Sequence, residues 1–202
     1  MSEIAKNIEF IKSKIGHATL IAVSKTKSVE EILEAYNAGQ RDFRENYVQE
    51  LINKHEALPK DIRWHMIGHL QSNKVKFIAP FVELIHGVDS IKLLEEINKQ
   101  AVKNNRTIDC LLQVHIAQEE TKFGFFPDEI LEIFRAQSLQ KLNNVCIKGL
   151  MTMGSNTEDL NQVEKEFMQV KKLFDETSDV RHQTSENSGS SSHVSCLASH
   201  VL

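Results

Sequence analysis

The chain has 202 residues, 41% hydrophobic and 26% charged, enough for one sizeable core and too few for two comfortable domains with linkers. A formal net charge of −4 and a pI near 6.1 give no broad basic surface, which argues against nucleic acid as the main partner while leaving room for a local cationic pocket for a small phosphate. The longest apolar runs are strand-length and the amino terminus carries no signal-peptide core, so neither membrane insertion nor secretion is indicated and a cytoplasmic protein is expected.

In chain order, a helix at about 3–15 precedes a first strand at 19–24. Ser28 caps the next helix, and Gly39 stands where its C-terminal cap belongs. Strands follow at 41–44, 62–67, 83–88, 108–116 and 145–151, each a short β-branched or apolar run. The helices between them begin at Ser72, at Ser90 and at Pro127 or Asp128. A last helix spans 159–176. Cys110, Cys146 and Cys196 are odd in number, far apart and without C-x-x-C spacing, which favours reduced thiols over a disulfide frame.

Six βα repeats fit a (β/α) barrel or an open doubly wound sheet, and pattern alone does not separate the two. No G-x-G-x-x-G follows the first strand, which lowers the dinucleotide-binding version. In either architecture, functional groups sit where strands end. Lys25 closes the run Leu-Ile-Ala-Val-Ser-Lys; Glu45, Asn46, His65, Gly87, Asp89, His115, Gln118 and Met151 stand at or near the other strand ends. A lysine at the end of a buried strand can lose its proton more easily than one in water, and a neutral amine condenses with aldehydes, so Lys25 is a candidate carbonyl-binding residue. His65 reads equally well as a satisfied core histidine beside Trp64.

Four ordered segments, Ala-Val-Ser-Lys-Thr-Lys (22–27), Ala-Gly-Gln-Arg-Asp-Phe-Arg-Glu-Asn-Tyr-Val-Gln-Glu (38–50), Trp-His-Met-Ile-Gly-His-Leu-Gln-Ser-Asn-Lys (64–74) and Lys-Gly-Leu-Met-Thr-Met-Gly (148–154), resemble the pyridoxal phosphate homeostasis proteins, relatives of the alanine racemase barrel domain. The resemblance runs from about residue 4 to about residue 176. It implies an α/β fold, a TIM-like (β/α) barrel that is incomplete here at about six units, with pyridoxal 5′-phosphate in its mouth held as an imine on Lys25. It further implies that Asn46 lies beside the cofactor ring and that His65 and Met151 line the same opening. The implied role is intracellular vitamin B6 homeostasis without catalysis, with transient contact with pyridoxal-phosphate-dependent enzymes.

Two departures stand out. Arg44 replaces the glycine of the family's G-E-N-Y-V-Q-E motif, and is expected to strain the turn beside Asn46. Residues 177–202 are rich in serine and histidine with almost no periodic apolar content, where the family would continue with a phosphate-binding turn and a closing strand. The domain division expected is therefore an incomplete barrel at 1–176 and a disordered tail at 177–202, the product of a frame shift or premature end. Loss of that cradle is expected to weaken the phosphate contact and to leave strands one and six with open edges.

Other patterns carry less. His193-x-x-Cys196-x-x-x-His200 has metal-ligand spacing but no strand or helix to fix it, so no metal site is assigned, and the Gly-Ser cluster 188–192 reads as flexible chain. Lys54, Lys60, Lys74 and Lys76 read as a solvated helical face. An amino-acid racemase is the competing function, but racemisation needs an acid/base on each face of the α-carbon, and the chain offers only Tyr36, on a helix, and Tyr47, beside Asn46. A remnant that binds the cofactor weakly or not at all is the third reading.

Overall fold

The computed structural model describes residues 2–116, 123–135, 138–155 and 157–188. Six parallel strands, β1 (Ala22–Val23), β2 (Asp42–Glu45), β3 (Arg63–Met66), β4 (Leu84–Val88), β5 (Ile108–Val114) and β6 (Val145–Thr152), form one sheet in strictly sequential order. A doubly wound sheet reverses its strand order at a switch point, so this order is the barrel arrangement. All six strands fall where the apolar runs predict them. β1 is shorter than its run and, among the described residues, pairs with β2.

Local chemistry sets the connecting helices. Ser2 caps α1 (Glu3–Lys14) by accepting the Ala5 amide at 3.2 Å. Ser28 and Glu31 form a reciprocal capping box at the start of α2 (Val29–Asn37), and Gly39 beyond its end takes φ +85°, a left-handed conformation that glycine adopts without cost. α3 (Val48–Ala57), α4 (Val75–Ile78), α5 (Ile91–Lys103) and α6 (Pro127–Arg135) complete the crossovers, with Ser90 accepting the Leu93 amide at the head of α5. Ser72 does not cap a helix: it opens a 3-10 turn, Ser72–Lys74, whose flanking Gln71 makes no side-chain cap bond.

Alternation along the strands sorts side chains between the helix layer and the barrel interior. Phe43 packs against Trp64 and Glu45 meets Lys54 of α3, so Asp42 and Arg44 point to the opposite, inner face. Arg44 lies inside β2 in extended backbone, and Thr26 and Asn105 are the non-glycine residues at positive φ among the described ones, so the expected strain at Arg44 does not occur.

The last helix also departs from expectation. α7 runs from Leu160 to Ser188, past the expected end at 176. Val170, Leu173 and Phe174 bury one side of it, and the hydroxyls of Thr177 and Ser178 return to the Phe174 carbonyl at 2.8 and 3.0 Å, so serine and threonine here satisfy themselves within the helix. The metal-like spacing at 193–200 and residues 189–192 of the Gly-Ser cluster lie outside the described residues, as does Gln118. Among the described residues no helix is long and apolar enough to cross a membrane.

Candidate functional site

Lys25 follows β1 directly, and the backbone on both sides of it is pinned. The Ser24 amide donates to the Arg44 carbonyl at 3.1 Å, extending the ladder by one residue, and the Ser24 hydroxyl donates to Glu45 Oε1 at 2.6 Å. On the other side the Thr26 amide donates to Glu50 Oε1 at 2.7 Å. Thr26 has φ +64°, a conformation that costs a β-branched residue energy and persists where its surroundings enforce it. The side chain of Lys25 is exposed rather than sheltered, because β1 is the outermost strand of the sheet.

A buried lysine ties these contacts together. Lys54 on α3 donates to the Ser24 carbonyl at 2.5 Å, to Glu45 at 2.8 Å and to Glu50 at 2.6 Å, with its side chain 7% exposed and that of Glu45 0% exposed. Lys54 is therefore no part of a solvated face. Burial pushes the Glu45 carboxyl above its ordinary value against the pull of Lys54 and Ser24, whereas for Glu50 burial is outweighed and the Lys54 and Thr26 bonds hold it low.

Behind this edge the interior holds a polar chain. Arg63 grips Asp42 through two bonds of 2.7 and 2.5 Å, Asp42 accepts from His65 Nε2 at 3.2 Å, and His65 Nδ1 faces His86 Nε2 at 3.0 Å. Burial raises Asp42, but the bonds from His65 and Arg63 prevail and set it at about 2. His86 is pushed down to about 3, by burial first and then by the charges of His65 and Arg44. His86 is thus a neutral imidazole, and a single hydrogen bond joins its Nε2 to His65 Nδ1 while His65 Nε2 faces the ionised Asp42.

Asn46 leaves β2 beside Lys25's strand with its Oδ1 buried and without a hydrogen-bond partner among the described residues. Its backbone is fixed by Gly68: a Cβ there would overlap the Asn46 carbonyl oxygen and stand 2.9 Å from the Asn46 carbonyl carbon and Cα. Gly87 in turn leaves room for the Gln113 side chain, whose Oε1 would lie 3.2 Å from an added Cβ. Outside Asn46 a cavity of about 370 Å³ opens between α3 and the 3-10 turn, lined by Tyr47, His69, Gln71, Lys74 and Phe77 among others. Lys74 thus borders a cavity rather than a plain solvated face. Met151 is buried on β6, paired in register with Gln113.

Of the residues predicted from sequence, Lys25 and Asn46 come together on adjacent strand ends. His65 sits deeper, opposite Arg44 in register, with both ring nitrogens engaged, and Met151 lies at the far edge of the sheet from Lys25. Asp42, Arg63 and His86 are additions. A signal for Asp42 and Arg63 is present in the sequence: Asp-Phe-Arg and Arg-Trp-His-Met alternate polar with apolar, whereas parallel strands covered on both faces by apolar layers read as continuous hydrophobic runs.

The family model of the alanine racemase N-terminal domain matches residues 1–201, in keeping with the sequentially ordered parallel sheet. The pyridoxal phosphate homeostasis protein of Pasteurella multocida is 36% identical over 187 residues, covering 86% of this chain and 79% of that protein. Its counterpart in Aquifex aeolicus is 42% identical over 181 residues, with 87% and 78% covered. The solved structure of PipY from Synechococcus elongatus with pyridoxal phosphate bound superposes with a TM-score of 0.78 at 33% identity, over 90% of this chain and 83% of that one. The chain belongs to the pyridoxal phosphate homeostasis protein family.

Proposed function

We propose that this chain binds pyridoxal 5′-phosphate reversibly through the Lys25 amine and serves cofactor homeostasis rather than catalysis. The observation that carries the proposal is the pinning of Ser24 and Thr26 on either side of Lys25, with Thr26 held at φ +64° by Glu50. Such a clamp fixes where a flexible lysine begins, which shortens its search for an aldehyde. The cofactor supplies an electrophilic aldehyde carbon, which a primary amine takes up with loss of water and releases on hydrolysis.

The residues present fit that group. Lys25 is an accessible primary amine, and Asn46 Oδ1 is a buried acceptor without a donor among the described residues, which a hydrogen-bond donor on the ligand would satisfy. PipY, its structural neighbour, has the cofactor bound. His65 sits deeper on β3 and Met151 on β6, away from Lys25, so the reading rests on Lys25 and Asn46. The non-catalytic part of the reading rests on the tyrosines: the Tyr36 hydroxyl is committed to Asp61 at 2.8 Å, and Tyr47 is 66% exposed at the head of α3. On this reading the cofactor is released in the cytoplasm to enzymes that use it, by transient contact.

Borohydride reduction of the loaded chain followed by peptide mass spectrometry is expected to place the label on Lys25. Equal labelling of a Lys25→Ala chain contradicts the reading. Incubation of free amino acids in D2O is expected to give no α-proton exchange, and sustained exchange overturns the non-catalytic part.

A further inference from the structure

We propose that Arg44 is the anion contact of this barrel, its guanidinium pairing with an anionic oxygen of the ligand that Lys25 captures; this rests on the reading that the mouth takes a phosphorylated aldehyde. Arg44 pairs in register with Val23 on one side and His65 on the other. Lys25 stands two residues beyond Val23, about 7 Å along the chain direction. Because Phe43 and Glu45 turn to the helix layer, Arg44 turns inward, and its charge is felt at His86 on β4.

Three cations of the strands and of α3 are paired, and Arg44 is not. Arg63 has Asp42, Lys54 has Glu45 and Glu50, and Lys148 on β6 has Asp109 at 3.3 Å. The Arg44 side chain has no ion pair or hydrogen bond among the described residues, and its Nε is sealed from solvent without an acceptor. Asp42, the carboxylate on its own face of β2, is already taken by Arg63 and His65, and His86 is a neutral ring that offers no counter-charge. A guanidinium half-buried in this way lacks a partner that a bidentate oxyanion supplies.

Two oxyanions of the ligand share this chemistry, the phosphate ester and the ring phenolate, and pyridoxal, which lacks only the phosphate, separates them. The full chain and its Arg44→Gln, Arg44→Lys and Arg44→Gly variants are titrated with pyridoxal 5′-phosphate and with pyridoxal, following absorbance, and each is reduced with borohydride to score Lys25. Arg44→Gln is expected to weaken pyridoxal 5′-phosphate at least tenfold, with partial recovery in Arg44→Lys. Loss confined to the phosphorylated ligand assigns the phosphate, and parallel loss for both assigns the phenolate. The glycine variant guards against misfolding, since it installs the residue of the resembling motif. Undiminished or tighter affinity in Arg44→Gln or Arg44→Gly overturns the proposal. Labelling at Lys25 reports separately on the aldehyde reading, which stands if Lys25 is still reduced in every variant.

Discussion

Lys54 and His86 are the two residues whose environment decides most. Removing Lys54 leaves the Glu45 carboxylate, 0% exposed, without its cation, and breaking such a buried pair costs about 3–5 kcal/mol. Lys54→Met is therefore expected to lower the urea midpoint sharply, and adding Glu45→Gln to restore more than half of the loss; additive effects in the double variant contradict the coupling. His86 titrates in the opposite sense to a stabilised cation. Its value falls from 6.5 unfolded to about 3 folded, so between those limits the unfolded chain binds the extra proton and stability declines as pH falls. Asp42, held at about 2 instead of 3.8, adds a second loss below pH 4, while Glu45, raised by burial, works against both. A decline of about 1.4 kcal/mol per pH unit below 6.5 is expected from His86, and His86→Asn is expected to flatten it when urea melts are compared at neutral and mildly acid pH.

Among the elements, the turn between β3 and α4 controls the rim. Gly68→Ala places a methyl group against the Asn46 backbone, where no side chain is free to move aside, so β2 and β3 must separate at their ends. The expected outcome is a destabilisation of about 1–3 kcal/mol together with weaker ligand uptake, read by thermal melts and absorbance titration. The strands and most helix starts are legible in the sequence because apolar runs and caps act locally: Ser28 and Ser90 cap as their neighbours dictate. Lys54 is not legible, since what buries it is Glu45 on another element, and at i and i+4 from Glu50 it looks like an ordinary helix-surface pair. α7 hides for a different reason. Its serine-rich end breaks the apolar period, yet hydroxyls that bond back to Phe174 and the buried anchors before them let the helix continue. Lys25 is legible by position, while its exposure follows from an edge that no local pattern records.

For the whole molecule, the sheet has two ends, and they differ. β1 spans two residues and presents little template, whereas β6 spans eight and pairs with β5 alone, so its other side carries a row of backbone groups with no strand partner among the described residues. The chain next to β6 is also apolar where it is exposed: Met153 is 53% exposed, and on α7 Leu160 is 79%, Phe167 38% and Met168 64% exposed. Unpaired strand edge and apolar helix face on one flank favour contact between copies at micromolar concentration. Sedimentation velocity is therefore expected to show association that recedes on dilution. Leu160→Lys with Met168→Lys is expected to suppress it while moving stability by no more than about 0.5 kcal/mol, because both side chains already face solvent. A parent chain that stays monomeric throughout shows instead that the β6 flank does not pair between copies, and association that persists in the double variant moves the contact away from α7 to the strand edge itself.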